Sequence, residues 1–385
     1  MKHAEFAVFL ILALAVYAGI NFLIYVKTRQ ALSGMGWMGT LLLVLLLLWM
    51  AAYPVGRILE SISSGPLSQL IIHAGSIYLG VMTYAFLIIL LLGAFWGVNR
   101  WIHFLPSWFS NHPHESLRWT TAVSALVIFV TILTGTINAL HLRVRHFNVD
   151  VPSGSTPSET LRLVAVSDLH LGAVVGPSRL GRIVNAINKL QPDVVLFVGD
   201  LVDEDAFGSE AGDFTSLLRT VQARHGVYGV TGNHEYYAGL TKSIAFFKAA
   251  GITLLQDSAA VVADAFCLIG RKDFTAERME DSRMPLQMLV SECGMKRPLV
   301  VMDHQPILLR EAEENRVALQ VSGHTHHGQL FPFNWITNAV YEKSWGWTER
   351  GETQVIVSCG TATWGPPVRT AGVSEIVEIS LTIGK

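Results

Sequence analysis

The chain has 385 residues and a mass of 42.3 kDa, which is long enough for more than one domain. Its formal net charge of −2 argues against a nucleic-acid-binding surface, because such a surface carries a clear basic excess. Its bulk composition, 51% hydrophobic and 15% charged, averages two unlike halves. Residues up to about His146 form apolar runs with few charges, whereas residues after Asp150 have the composition of a soluble α/β domain.

The N-terminal half contains stretches long enough to cross a bilayer, whose hydrocarbon core needs roughly 20 apolar residues per helix. The four predicted helices cover residues 6–26, 36–55, 70–98 and 120–140. We therefore predict a multi-pass membrane domain over residues 1–146, surrounded by a lipid bilayer. Three helices, or five with the third stretch split, are the alternatives. Four basic residues fall on each side of the membrane, so the loop charges leave the orientation open.

Polar residues inside the predicted spans are few. They are Asn21, His73 and Asn138, which are too sparse for an ion pathway. The membrane half is therefore interpreted as an anchor whose polar residues have packing roles.

After a predicted linker at residues 147–160, the pattern changes to a domain over residues 161–385. Short β-rich runs there each end in polar residues, and one segment, RLGRIVNAINKLQPD, has helical spacing of its apolar residues. The five runs are LRLVAVSDLHLG, DVVLFVGDLVD, GVYGVTGNHEYY, PLVVMDHQP and VALQVSGHTHHG. Because ligands of α/β sheets gather beyond strand ends, these five tips can converge on one site.

The strand tips supply oxygen and nitrogen donors and no thiolates. In order they read D-x-H (Asp168, His170), G-D-x-x-D (Gly199, Asp200, Asp203), G-N-H-E (Gly232 to Glu235), His304, and G-H-x-H (Gly323, His324, His326). Each alone has an ordinary alternative, such as a helix N-cap or a turn. Together the donors suit borderline or harder divalent ions such as Mn, Fe or Zn. They are too many for one tetrahedral ion, so two ions are the economical interpretation.

The cysteines Cys267, Cys293 and Cys359 are far apart and match no ligand spacing. They are expected to be core residues or free thiols, which weakly indicates a reducing compartment.

The ordered motifs from Asp168 to His326 resemble the calcineurin-like metallophosphoesterase family. The stretches GVYGVTGNHEYY, GHTHHGQLFPF and GTATWGPPVR are similar to a bacterial branch whose catalytic domain follows a membrane anchor or export signal. The resemblance implies a four-layer α/β/β/α sandwich around a dinuclear centre, in a bacterial inner membrane. His327, where relatives often carry Gly, and Glu235, where Asp is commoner, are departures from the pattern.

The resemblance also implies a role for each matching residue and two divalent cations, Mn, Fe or Zn. The residues implied to hold the first ion are Asp168, His170 and His326. Those implied to hold the second are Asn233, His304 and His324, with Asp200 bridging both ions. His234 is implied to donate a proton or hydrogen bond to the leaving oxygen. The residues implied to orient imidazoles or waters are Asp203 and Glu235.

The expected activity is metal-dependent phosphoester hydrolysis by water, without a covalent enzyme intermediate. A phosphomonoester, a phosphodiester and a lipid-linked diphosphate are the substrate alternatives. Arg369 and Trp364 are candidate substrate-binding residues, against the alternative of a surface arginine and a packed tryptophan. The aromatic run Phe331–Phe333, with Trp335, Trp345 and Trp347, forms either core or a lip on the bilayer. A rival interpretation is a non-catalytic metal-binding sensor or scaffold on a membrane anchor, and the oligomeric state stays open.

Overall fold

The computed structural model describes residues 3–151, 159–208, 210–279, 281–294 and 297–384. These residues form two compact units, Met1–Thr136 and Ile137–Lys385. The first unit is helical, and the second is built on β-sheets. The last turn of the final N-terminal helix therefore belongs to the second unit.

The helices of the first unit are α1 (His3–Ala31), α2 (Gly36–Ile62), α3 (Pro66–Ile102), the short α4 (Ser107–Asn111) and α5 (Pro113–Leu140). Four of the described helices, α1, α2, α3 and α5, are long and apolar enough to cross a membrane, as predicted. Each extends several residues beyond the predicted apolar core at one or both ends. Asn21 of α1 accepts a hydrogen bond from the Tyr78 hydroxyl of α3, so this intramembrane polar residue is satisfied by packing.

The second unit contains twelve described strands. They are β1 (Leu142–Val151), β2 (Glu159–Val166), β3 (Val194–Val198), β4 (Val227–Val230), β5 (Thr253–Leu254), β6 (Ser258–Val262), β7 (Phe266–Gly270), β8 (Leu299–Met302), β9 (Leu319–Ser322), β10 (Gly346–Arg350), β11 (Thr353–Val357) and β12 (Ser374–Ile383). Its helices are α6 (Pro177–Lys189), α7 (Ala211–Leu218), α8 (Asn233–Tyr237), α9 (Leu240–Ala249), α10 (Thr275–Arg278), α11 (Leu286–Cys293), α12 (Leu309–Glu314) and α13 (Phe333–Val340).

The strands form two six-stranded sheets with the orders β1-β12-β2-β3-β4-β5 and β10-β11-β9-β8-β7-β6. An apolar core that includes Leu163, Leu196, Val300 and Val321 joins the two sheets face to face. Helices α6, α7 and α9 cover the outer face of the first sheet, and α11 covers the second. The predicted four-layer α/β/β/α sandwich is confirmed. Strands such as β3 are buried throughout because both of their faces are covered.

Parallel pairing brings the polar strand tips to common edges. In the first sheet β2, β3 and β4 are parallel neighbours, and in the second sheet β8 and β9 are. Backbone bonds then connect the loops that follow these strands: Asp168 N–H donates to Gly199 O at 3.1 Å, and Gly323 N–H donates to His304 O at 2.9 Å. The convergence expected from the sequence is present.

The first strand of the sheet lies where the sequence analysis placed the end of the membrane domain and a linker. β1 runs parallel to β12 over ten residue pairs, from Leu142 opposite Ser374 to Val151 opposite Ile383. The second compact unit begins at Ile137, before the boundary predicted at residue 146. Of the predicted linker at 147–160, residues 147–151 are in β1 and 159–160 are in β2, while residues 152–158 lie outside the described residues.

Cys267 and Cys293 are buried core residues, which was one of the two alternatives, but they are not free thiols. Cys267 of β7 and Cys293 of α11 form a disulfide, although they are 26 positions apart in sequence. Disulfides persist in oxidising compartments, so the structure argues against the reducing compartment inferred from sequence. Cys359 is free and fully buried.

Candidate metal centre

The strand tips carry an unusual backbone conformation. Five residues at the site have a backbone φ in the left-handed region, between 46° and 72°: Asp168, His170, Asp200, His324 and His326. Non-glycine residues rarely adopt this conformation, and it costs on the order of 1–3 kcal/mol each. Clusters of such residues are typical of functional sites, where the surrounding structure enforces the strain.

The first group of side chains that could hold a metal ion is Asp168, His170 and His326, all buried. His170 Nε2 lies 3.0 Å from His326 Nε2, and His326 Nε2 lies 3.4 Å from Asp168 Oδ1. Asp168 also accepts the His324 backbone N–H at 3.0 Å, which connects the tip of β2 to the loop after β9. Two imidazole nitrogens and a carboxylate therefore face one another in a buried space.

The second group is Asp200, His304 and His324. His304 Nε2 lies 3.1 Å from Asp200 Oδ2, yet it has no hydrogen-bond partner among the described residues. His324 Nδ1 lies 2.9 Å from the amide oxygen of Asn233. Asp200 Oδ2 also lies 3.8 Å from His170 Nε2, so Asp200 stands between the two groups.

The far nitrogens of two imidazoles are fixed by the chain. His170 Nδ1 bonds Asp203 Oδ1 at 2.8 Å, and His304 Nδ1 bonds the Val198 carbonyl at 2.8 Å. Each bond leaves Nε2 facing the carboxylates, which is how metal-binding histidines are commonly oriented. The buried, unpartnered His304 Nε2 and the oxygen–nitrogen donor set fit a divalent cation.

The electrostatics of the groups also fit a cation. Burial, and next the neighbouring His304, lower the pKa of His324 to about 4, which keeps its imidazole neutral and able to ligate. Burial lowers the pKa of His304 as well, but the Asp200 carboxylate outweighs this effect and raises it well above the usual value. The site therefore favours positive charge beside Asp200, which a bound cation would supply.

His234 lies beside these groups, partly buried. Its Nδ1 is 2.9 Å from the Asp203 oxygen that also bonds His170, so Nε2 is left for another partner. Burial lowers the pKa of His234, but the carboxylates of Asp200 and Asp203 raise it to about 9. The rings of Tyr237 and Trp364 lie 5.6 and 5.7 Å from its ring. His234 thus has the charge and position of a proton donor.

Glu235 is fully buried and joins two strand tips. Its carboxylate accepts backbone N–H groups of Gly232 at 2.6 Å, Leu201 at 2.7 Å, Asp200 at 3.0 Å and Val202 at 3.1 Å. The loop after β3, which carries Asp200, is therefore fixed to the start of α8, which carries Asn233 and His234.

Glycines allow the close approach of these elements. Gly199 has a φ of +79°, and an added Cβ would overlap the His304 ring. At Gly232 a Cβ would overlap Asp200 Oδ1 and lie 2.8 Å from His304 Cδ2. Both positions exclude larger side chains because a metal-ligating residue occupies the space.

His327, Arg369 and Trp364, the other residues named from the sequence, differ in burial and in contacts. His327 bonds Ser344 Oγ at 2.9 Å and is in none of the candidate metal-binding groups of the described residues. Arg369 is fully buried and donates to the carbonyls of His326, Cys359 and Ala362, so its burial disfavours the predicted substrate contact. Trp364 is 55% exposed beside His234, and its substrate role stays a prediction.

The sequence analysis missed two tyrosines beside the centre. Tyr237 contacts the His234 ring and is exposed, and Tyr341 lies with its ring 6.1 Å from the His324 ring. Tyr237 follows His234 by three positions, so the spacing of neighbours on one helical face could have indicated the first contact. The contact between Tyr341 and His324 forms because the segment after α13 lies beside the loop after β9, and no local sequence pattern predicts that placement.

Comparison with known proteins places this centre in a family context. Residues 161–328 match the family model described as calcineurin-like phosphoesterase. A zebrafish (Danio rerio) "transmembrane protein with metallophosphoesterase domain" is 34% identical over 68% of this chain and 62% of its own length. An "uncharacterized metallophosphoesterase" of Helicobacter pylori is 31% identical over 57% of this chain and 60% of its own. The matches thus span about three fifths of these relatives.

Among solved structures, a 5'-nucleotidase precursor from Thermus thermophilus is similar at a TM-score of 0.34 and 16% identity. The match covers 58% of this chain and 54% of that one.

Proposed function

The chain belongs to the calcineurin-like metallophosphoesterases through its C-terminal domain, and on that premise we propose that it hydrolyses a phosphate ester with water at two divalent cations. The observation that carries the proposal is the convergence of seven donor side chains from five strand tips. They are Asp168, His170, Asp200, Asn233, His304, His324 and His326. A cation-free role for so many buried donors would leave nitrogens such as His304 Nε2 unsatisfied.

Each cation is proposed to be held by three side chains and the shared Asp200. The residues for the first are Asp168, His170 and His326, and those for the second are Asn233, His304 and His324. Oxygen and imidazole donors without thiolates favour Mn, Fe or Zn. Asp203 is proposed to orient His170 and His234 through the one oxygen that lies near both rings.

When bound, the cation pair neutralises charge on the phosphoryl oxygens and lowers the pKa of water, so that solvent can act as the nucleophile. His234 is proposed to protonate the leaving oxygen from Nε2, because Nδ1 lies 2.9 Å from the Asp203 carboxylate. Glu235 holds the His234 segment against the Asp200 loop. This contact fixes the position of the His234 imidazole relative to the side chains proposed to bind the cations.

The proposed substrate is a phosphate group within reach of a membrane, such as a lipid-linked phosphate or diphosphate. Four apolar helices precede the domain without a long intervening segment, since α5 ends at Leu140 and β1 begins at Leu142. Exposed Tyr237 and Trp364 flank His234 and would contact an apolar or planar leaving group. The proposed location is a bacterial inner membrane, following the branch that the motifs resemble.

The test uses the purified full chain in detergent, stripped with a chelator and reloaded with Mn, Fe(II) or Zn. Hydrolysis of a phosphodiester dye, a phosphomonoester dye and a lipid diphosphate is measured beside metal content. We expect activity only after reloading, its loss in Asp200→Asn together with bound metal, and its retention in the matched control His327→Ala. Metal binding without hydrolysis of any substrate would favour the sensor alternative and overturn the proposal.

A further inference from the structure

A contiguous apolar surface lies on α13, within the phosphoesterase unit. Trp335, Ile336 and Val340 are 64%, 59% and 69% exposed, and Phe331, just before the helix, packs edge-on against Trp335 with ring centroids 5.1 Å apart. We call these four residues the α13 face. Every side chain of α13 is exposed or half-buried, so the helix contributes little to the core. Exposed apolar patches of this kind mark interaction surfaces.

Hydrogen bonds connect the α13 face to the last turn of α5, the fourth candidate membrane span. Phe331 N–H donates to Thr370 Oγ1 at 2.8 Å, at the start of the face. In the same loop, the Arg369 and Gly372 carbonyls accept from the Asn138 side chain at 3.0 and 3.1 Å. Asn138 lies two residues before the end of α5. The α13 face is therefore fixed close to the point where an apolar helix of 28 residues ends.

The other end of α13 leads to the metal centre. Tyr341 follows the helix directly, and its ring contacts His324. Three residues later, Ser344 accepts a hydrogen bond from Thr325 through its carbonyl and bonds His327 through its hydroxyl. Within the second unit, α13 thus leads from the loop that contacts Asn138 to the donors of the centre.

We propose that the α13 face binds the interfacial region of the lipid bilayer. The sequence of α13, FNWITNAV, carries no charge, and tryptophan with aliphatic side chains is the composition that lies at the headgroup–acyl boundary. Its continuity with the end of a membrane span favours lipid over a soluble partner or a second copy of the chain. This inference is independent of the proposed hydrolysis.

The test places a fluorophore on the α13 face of the full chain in lipid nanodiscs. Ile336→Cys is labelled with the environment-sensitive dye NBD, because the natural cysteines are either disulfide-bonded or buried. The matched control is Met288→Cys on α11, which is similarly exposed at 55% and apolar. Nanodiscs of phosphatidylcholine and phosphatidylglycerol contain a phospholipid with a doxyl quencher near the top of its acyl chain.

We expect several-fold stronger quenching at position 336 than at position 288. Absence of quenching at 336 overturns the proposal, and equal quenching at both positions does so as well, because the dye would then report non-specific contact. Blue-shifted but unquenched emission at 336 would show that protein covers the face, and the particle mass would then identify a second copy. Since Ile336 is exposed, its replacement leaves the core intact, which an unchanged melting temperature would verify.

Discussion

Removal of the Glu235 carboxylate should destabilise the domain strongly, although the residue is not among the proposed ligands. In Glu235→Ala, four buried backbone N–H groups lose their acceptor, those of Gly232, Asp200, Leu201 and Val202. An unsatisfied buried donor costs about 1–3 kcal/mol, so the lower bound for four is about 4 kcal/mol. For a unit of this size, about 4 kcal/mol corresponds to a melting temperature lower by about 8–16 °C.

The assay is thermal unfolding of the full chain in detergent, followed by tryptophan fluorescence after chelation, so that lost metal binding does not contribute. Glu235→Gln keeps one oxygen acceptor and should fall between the wild type and Glu235→Ala. Glu277→Ala, an exposed glutamate on α10, is the matched control and should melt like the wild type. Equal melting temperatures for Glu235→Ala and Glu277→Ala would refute the assignment of Glu235 as the link between the two strand tips.

Four further predictions address the centre and the compartment. His234→Ala should keep its metal content but lose turnover by about 10²–10⁴-fold, the usual contribution of a positioned proton donor, and wild-type turnover would exclude that role. Gly232→Ala should lose bound metal because its Cβ overlaps Asp200, whereas Gly212→Ala, with open space around the added Cβ, should bind metal normally; equal binding would contradict the close approach. Replacing Cys267 and Cys293 by Ser should lower the free energy of unfolding by about 3.5 kcal/mol, the loop-entropy value for 26 residues, in thermal unfolding. Thiol counting of the denatured wild type without reductant should find Cys359 alone, and three thiols would indicate a reducing compartment.

The convergence of the candidate side chains could be predicted because its sequence signal is local to each strand. A buried β run that ends in Asp, Asn or His beside glycine identifies a tip, and parallel pairing is enough to bring tips together. His324 and His326 are an example: they are alternate residues of one loop, and they lie in different candidate metal-binding groups. The membrane helices were equally accessible, since length and hydropathy alone define them.

Features that depend on distant contacts were missed. The Cys267–Cys293 disulfide requires α11 to pack on β7, and no spacing rule encodes that contact. Burial of Arg369 depends on three carbonyls that its own loop and the His326 turn present. β1 was accessible in principle, because LRVRHFNVDV alternates apolar and polar residues in part. Secondary-structure propensities alone do not predict that β1 begins at Leu142, two residues after the end of α5 at Leu140.

The most direct test is anomalous X-ray scattering from crystals of the full chain grown with Mn²⁺. We expect two peaks, one beside His170 and His326 and the other beside His304 and His324, with the Asp200 carboxylate between them. Asp200→Asn crystals should show reduced occupancy at both positions. A single peak, or peaks remote from these imidazoles, would contradict the dinuclear centre from which the proposed hydrolysis follows.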